Sequence, residues 1–211
     1  MEKLDNLKEY IISGKLEEAR LAVSGAITLG VSPAAIINDY LIEGMKEIGL
    51  RFEEGKAFVP NLLLSARAMK GCMELLKPYM TDGNVATLGT LVIGTVKGDL
   101  HDIGKNLVAS MLEGCGFKVV NLGVDISAEQ FVDAVRTYQP QLVCLSALLT
   151  TTMNYMKEVI DKLNQVGLRS QVKVMVGGAP LSERFAQEIG ADGYSSNANE
   201  AVRLAKYLLG A

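Results

Sequence analysis

The 211-residue chain contains a single histidine, and it stands in the stretch Gly98-Asp99-Leu100-His101-Asp102-Ile103-Gly104. A carboxylate two residues from an imidazole can hold one ring nitrogen and leave the other to bind a metal or act as a base. Two further segments bring hydroxyls or bare backbone: Ser146 with the following Leu148-Leu149-Thr150-Thr151-Thr152, and Gly177-Gly178-Ala179. Taken one at a time, each has an ordinary explanation. Asp99 suits a turn, Ser146 and the threonines suit helix caps, and paired glycines supply positive φ. Their meaning depends on the elements that carry them.

From residue 85 onward, short apolar runs rich in β-branched residues alternate with segments of helical periodicity. The runs predict strands at Leu88–Thr95, Lys118–Leu122, Leu142–Ser146 and Val172–Val176, with a weak fifth around Asp192–Ser195. Helices are predicted near 102–115, 127–138, 152–166, 181–189 and 198–209. Repeated βα units with strands buried on both faces predict an α/β domain, a doubly wound parallel five-stranded sheet of Rossmann-like (flavodoxin-like) type. In the common order 2-1-3-4-5, strands one, three and four lie side by side. The His101 loop, the end of strand three at Ser146 and the end of strand four at Gly177-Gly178 then meet at one sheet edge, the carboxyl edge where open α/β sheets bind ligands.

The first part of the chain has a different rhythm. From Leu4 to about Tyr79, apolar residues recur every three or four positions, with interruptions at Gly14, Gly30-Val31-Ser32-Pro33 and Glu53-Glu54-Gly55-Lys56. This predicts a bundle of four or five helices. Ser32-Pro33 reads as an N-cap followed by proline at the first helical position, and Pro60 opens the last helix in the same way. Thr81-Asp82-Gly83-Asn84 is a polar turn, expected to separate a helical domain, 1–84, from the α/β domain, 85–211.

Composition excludes several classes. A net charge of −3 with both signs interspersed leaves no footprint for nucleic acid or an anionic membrane. Met1-Glu2-Lys3-Leu4-Asp5 has no signal-peptide core, and no run reaches the roughly 18 apolar residues that span a bilayer, so a cytoplasmic location is expected. Cys72, Cys115 and Cys144 lie far apart in apolar patterns and read as buried thiols rather than a disulfide or zinc site. A dinucleotide site needs G-x-G-x-x-G with an acidic residue roughly 20 positions on, and Gly98 to Gly104 lacks that spacing. Ser146 with His101 would make a hydrolase pair, but no nucleophile elbow surrounds the serine.

Asp99-x-His101-x-x-Gly104, then Ser146-x-Leu148, then Gly177-Gly178 resembles the three-part signature of cobalamin-binding domains that hold the corrinoid with its lower base displaced. The helical region is similar to the cap of methionine synthase and of corrinoid methyl-carrier proteins, through Phe52-x-x-Gly55-x-x-Phe58-Val59-Pro60 and Ser65-Ala66-Arg67-Ala68-Met69. The resemblance covers the whole chain. It places the chain among small corrinoid proteins of methanol, methylamine, glycine betaine or methoxyarene methyltransferase systems.

That resemblance implies roles for named residues. His101 would replace the cofactor's dimethylbenzimidazole as lower axial ligand of cobalt, with Asp99 on its other nitrogen and Thr152 where a serine completes the family's triad. Gly98, Leu100, Asp102 and Ile103 belong to the same cofactor-binding loop. The displaced nucleotide tail would pass Gly104, with Ser146 and Thr150 as hydrogen-bond partners beside Leu148, Gly177, Gly178 and Ala179, and with Ala198 lining its base. Phe52 and Val59 match apolar residues over the upper, methyl-bearing face, and Asn61 stands where many relatives have Glu or Gln.

The implied function is a methyl shuttle. A substrate-specific methyltransferase loads methylcobalamin, and a second methyltransferase passes the methyl group to a thiol or tetrahydrofolate-type acceptor. A reductive activation protein is a third implied partner. The chain itself is expected to be a non-catalytic subunit, because it shows no zinc site and has no room for a substrate barrel of about 250 residues. Two alternatives share the binding domain. A cobalamin-dependent regulator or sensor is disfavoured by the lack of a basic recognition face, and a mutase small subunit by the Phe58-Val59-Pro60 cap.

Overall fold

The computed structural model describes residues 6–79 and 87–210, and the expected boundary turn, Thr81–Asn84, lies outside them. The chain divides into two compact units. One contains the described residues up to Thr87 with Glu113–Gly116, and the other contains Leu88–Leu112 with the described residues from Phe117 on.

The first unit is helical: α1 (Leu7–Ile12), α2 (Leu16–Thr28), α3 (Ile42–Glu53) and α4 (Val59–Leu76). A short turn, Pro33–Ala35, and a π-helical segment, Ile36–Leu41, lead directly into α3. The breaks fall at the predicted interruptions. Ser32 caps the Pro33 turn, its hydroxyl accepting the Ala35 N–H at 3.2 Å, and Pro60 sits in the first turn of α4, where its missing N–H costs nothing. Leu7, Ile11, Val23, Leu41, Leu62 and Leu76 are fully buried and form the core that the three- and four-residue spacing anticipated.

The second unit alternates β1 (Thr90–Val96), α5 (Ile103–Gly114), β2 (Lys118–Ile126), α6 (Ala128–Tyr138), β3 (Leu142–Ser146), α7 (Asn154–Gln165), β4 (Lys173–Gly177), α8 (Glu183–Ile189), β5 (Gly193–Ser195) and α9 (Ala198–Leu209). All neighbouring strands pair in parallel, in the predicted order β2-β1-β3-β4-β5. The central strands are nearly continuous buried runs because helices cover both faces. Phe131 of α6 is fully buried against β1, where a Cβ on Gly94 would come within 2.8 Å of the ring. Burying that ring contributes about 2–3 kcal/mol.

The largest departure from expectation is β2, which runs past Leu122 to Ile126. It is an edge strand, only partly buried, so Gly123 and polar Asp125 are tolerated and the apolar pattern that marks a buried strand fails beyond Leu122. The three cysteines are buried and none is in a disulfide, as their apolar settings predicted. Burial pushes the Cys72 thiol up to about 12, with Arg20 offsetting only part of the effect. No described helix is long and apolar enough to cross a membrane.

Candidate functional site

The site grows from the end of β1. Beyond Val96 the chain turns through Gly98, at φ 78°, and delivers Asp99 into the interior with no exposed surface. An isolated carboxylate there would be costly, and this one is surrounded by donors. Its Oδ2 accepts the Leu148 N–H at 2.8 Å, the Leu149 N–H at 3.3 Å and the Thr152 hydroxyl at 2.7 Å. Its Oδ1 accepts the His101 N–H at 3.1 Å and lies 2.7 Å from His101 Nδ1. Burial works to raise the Asp99 pKa, but the bonds from Leu148, Thr152 and His101 outweigh it and hold the carboxyl well below the usual carboxylate range.

The charge state of Asp99 decides the state of the ring. An ionised carboxylate only accepts, so Nδ1 carries the proton that bridges 2.7 Å to Oδ1. In the neutral ring Nε2 then keeps its lone pair, and the imidazole side chain is half exposed. The predicted trio Asp99, His101 and Thr152 is therefore brought into direct contact, with Thr152 itself buried.

The two loops that meet at Asp99 carry exposed apolar side chains. Ile103, Leu100, Leu148 and Leu149 are all exposed, and Ile103 most of all at 86%. Across the sheet edge, Thr95 of β1, Ser146 of β3 and Gly177 of β4 share one register line. Gly178 follows at φ 146°, and a Cβ there would overlap the Ala147 carbonyl oxygen, so only glycine fits. Gly104 has open space where a side chain would stand, and Thr150 and Ala179 are exposed. Asp102 is exposed at the start of α5, and Ala198 is buried as the first residue of α9. Phe52 near the end of α3 and Val59 at the start of α4 belong to the helical unit. There Asn61 has a plain local task, its side-chain oxygen accepting the Phe58 N–H at 2.9 Å.

Several residues of the site escaped the sequence. Buried Thr95 donates its hydroxyl to the His101 carbonyl at 2.9 Å. Lys105 is 3% exposed and gives its ammonium to Asn106 Oδ1 and Asn121 Oδ1, each at 2.7 Å. Burial draws the Lys105 pKa down while the nearby Asp102 charge works against that. Asn106 in turn donates to Asp102 at 2.9 Å, so a polar cluster anchors the start of α5 to β2. The available signal was polarity inside otherwise apolar segments: Thr95 in β1, Lys105 in α5 and Asn121 in β2.

The donor set fits a corrinoid. Among the described residues no group of three or more His, Cys, Asp or Glu could hold a metal ion, so a metal at this site would find one imidazole, His101, as its protein donor. One imidazole suits a metal that arrives with its other ligands already in place, as in a macrocycle. Exposed leucines and isoleucine beside the ring suit the macrocycle's apolar rim, and the glycine-lined edge admits close backbone approach.

Fold and site together define a cobalamin-binding α/β protein with an N-terminal helical domain. Residues 89–203 match a family model described as a B12 binding domain, and residues 3–77 match a second model of the same description. Dimethylamine corrinoid protein 2 of Methanosarcina mazei is 43% identical over 209 residues, 99% of this chain and 97% of that protein. A cobalamin-binding protein from Desulfitobacterium hafniense superposes with a TM-score of 0.83 at 32% identity, over 97% of this chain and 98% of that one. A chain of the methanol:cobalamin methyltransferase complex from Methanosarcina barkeri gives 0.85 at 32% identity, over 99% of this chain and 80% of that one. The chain belongs to the B12-binding family of corrinoid proteins, and its cofactor is a cobalamin-type corrinoid.

Proposed function

We propose that this protein carries a methyl group on a corrinoid ligated by His101, receiving it from a substrate-specific methyltransferase and yielding it to a second methyltransferase with a thiol or tetrahydrofolate-type acceptor. The observation that carries this is the half-exposed imidazole at the strand ends, with Nδ1 committed to buried Asp99 at 2.7 Å. The relatives support it: one is a dimethylamine corrinoid protein and another structure is a methanol:cobalamin methyltransferase complex. One architecture thus serves different donors, and the partner subunit selects the donor. A protein that restores the reduced cofactor completes the set of partners, in the cytoplasm and with no nucleic acid or membrane involved.

When bound, the corrinoid supplies a cobalt that accepts and releases the methyl group. The chain's own residues do the rest. His101 presents the Nε2 lone pair, Asp99 fixes the ring's tautomer and orientation, and Thr152 with the Leu148 N–H fixes Asp99. Gly98, Leu100, Asp102 and Ile103 would help His101 hold the macrocycle. Gly104, Ser146, Leu148, Thr150, Gly177, Gly178, Ala179 and Ala198 would hold the cofactor's nucleotide tail. Residues 85–211 would hold the cofactor, and Phe52 and Val59 of the helical cap, residues 1–84, would supply apolar cover against water.

Reconstitution with hydroxocobalamin tests this. Wild-type protein is expected to retain the cofactor and give a base-off, histidine-ligated visible spectrum that His101→Ala loses. A wild type that retains no corrinoid overturns the proposal.

A further inference from the structure

The ladder between β1 and β2 is irregular at the end nearest the site. Ile93 pairs with Asn121, Gly94 with Gly123 and Val96 with Ile126, with register shifts on both sides of Gly94. Each shift leaves an extra residue on β2, a bulge of the kind that re-aims side chains beside functional sites. The second one holds Asp125 at φ 57°. Gln139 is the other non-glycine residue at positive φ among the described residues, and its position is explained because it closes α6 as the C-cap. Asp125 closes no helix.

Two hydrogen bonds come from this strained position. The Asp125 N–H donates to the Asp99 carbonyl at 3.1 Å, and the Asp125 carboxylate accepts the Gly98 N–H at 2.7 Å. Together they grip the backbone on both sides of the Gly98–Asp99 peptide. On the strand side the same segment is held by the Asp99 N–H to the Val96 carbonyl at 3.2 Å. Gly98 itself offers little resistance to rotation, having no Cβ.

We propose that Asp125 is a positioning residue: the β2 bulge clasps Gly98 and Asp99 and so sets where His101 meets the cobalt. This rests on the corrinoid function proposed above. The side chain of Asp99 orients the ring, but the place from which it does so is set by its own backbone, and Asp125 is the β2 residue that holds that backbone. Strain retained beside a metal ligand is consistent with such a device. A ligand that must engage and disengage needs a loop held in one place rather than one free to drift.

Two variants separate the carboxylate from the backbone strain. Asp125→Gly adopts the positive φ freely and keeps its N–H, but removes the acceptor for Gly98. Asp125→Asn tolerates the same φ and keeps an acceptor oxygen. After reconstitution with hydroxocobalamin, the ratio of histidine-ligated to unligated cofactor in the visible spectrum is expected to fall about tenfold in Asp125→Gly and to recover in Asp125→Asn. Without cofactor, hydrogen exchange at the His101 amide is expected to speed up by about the same factor in Asp125→Gly, while the amides of β3 keep their rates. A wild type that binds through histidine beside an Asp125→Gly protein that does so equally well overturns the role of Asp125 alone. A wild type that retains no corrinoid overturns the underlying function, and the two failures are thereby distinguished.

Discussion

Replacing Asp99 by asparagine changes one atom and should remove the metal-binding ability of a different residue. In the wild type, Oδ2 receives three donors, from Leu148, Leu149 and Thr152, and Oδ1 receives two, both from His101. Asparagine has one acceptor oxygen, and it satisfies more donors facing Leu148. Its NH2 then points at the His101 N–H, which loses its partner, and at Nδ1, which must become an acceptor. The ring proton moves to Nε2, and a protonated Nε2 has no lone pair for cobalt. The unpaired amide costs about 1–3 kcal/mol, and loss of charge assistance in the surviving bonds brings the sum to about 3 kcal/mol. For a chain of this length that lowers Tm by about 6–12 °C. Because His101 is the single imidazole, ¹⁵N NMR of its ring reads the tautomer directly, and the visible spectrum after reconstitution reads the ligation. An Asp99→Asn protein that keeps the proton on Nδ1 and ligates cobalt as the wild type does would refute this account.

Asp99 also predicts a pH dependence. Its folded pKa is depressed, so its stabilisation is complete above the unfolded value of about 3.9 and is lost as pH falls toward the lower folded value. The stability advantage of wild type over Asp99→Asn, measured as urea midpoints of the cofactor-free proteins, should hold from about pH 6 to about pH 5 and shrink progressively as pH falls through about 4 and below. Gly178→Ala should destabilise by about 3 kcal/mol or more, since φ 146° and the overlap with the Ala147 carbonyl both resist a Cβ. Corrinoid uptake should fall with it, and an unchanged urea midpoint would show that the β3 and β4 ends can part at little cost. Phe131→Ala should cost about 3–5 kcal/mol through the cavity left against Gly94. The protein that remains folded should still show histidine ligation, because Phe131 makes none of the Asp99 hydrogen bonds.

Much of this molecule could be read locally. Strand and helix positions followed from apolar periodicity, and the parallel order followed from repeated βα units whose strands had to be buried on both faces. The Asp99 and His101 pair is local as well, since two residues of separation in one loop suffice to join carboxylate and ring. Resemblance added Thr152, whose hydroxyl does reach Asp99 from 53 positions away. The limits appeared where burial no longer followed pattern. Edge strand β2 outran its predicted end at Leu122 because a half-exposed strand accepts Gly123 and Asp125 without signalling a strand.

What the tertiary structure alone decided is how the histidine loop is held. Five donors converge on Asp99 from two loops, a choice that depends on β1 and β3 lying side by side in a particular register. Asp125 meets Gly98 only because bulges shift β2 against β1, and Lys105 meets Asn121 only because α5 and β2 come together across 16 positions of chain. Apolar periodicity records which side of an element is buried, whereas register and bulge are settled by pairing across the sheet. A sequence therefore declared the imidazole and its nearest carboxylate, and the folded sheet supplied the groups that keep them in place.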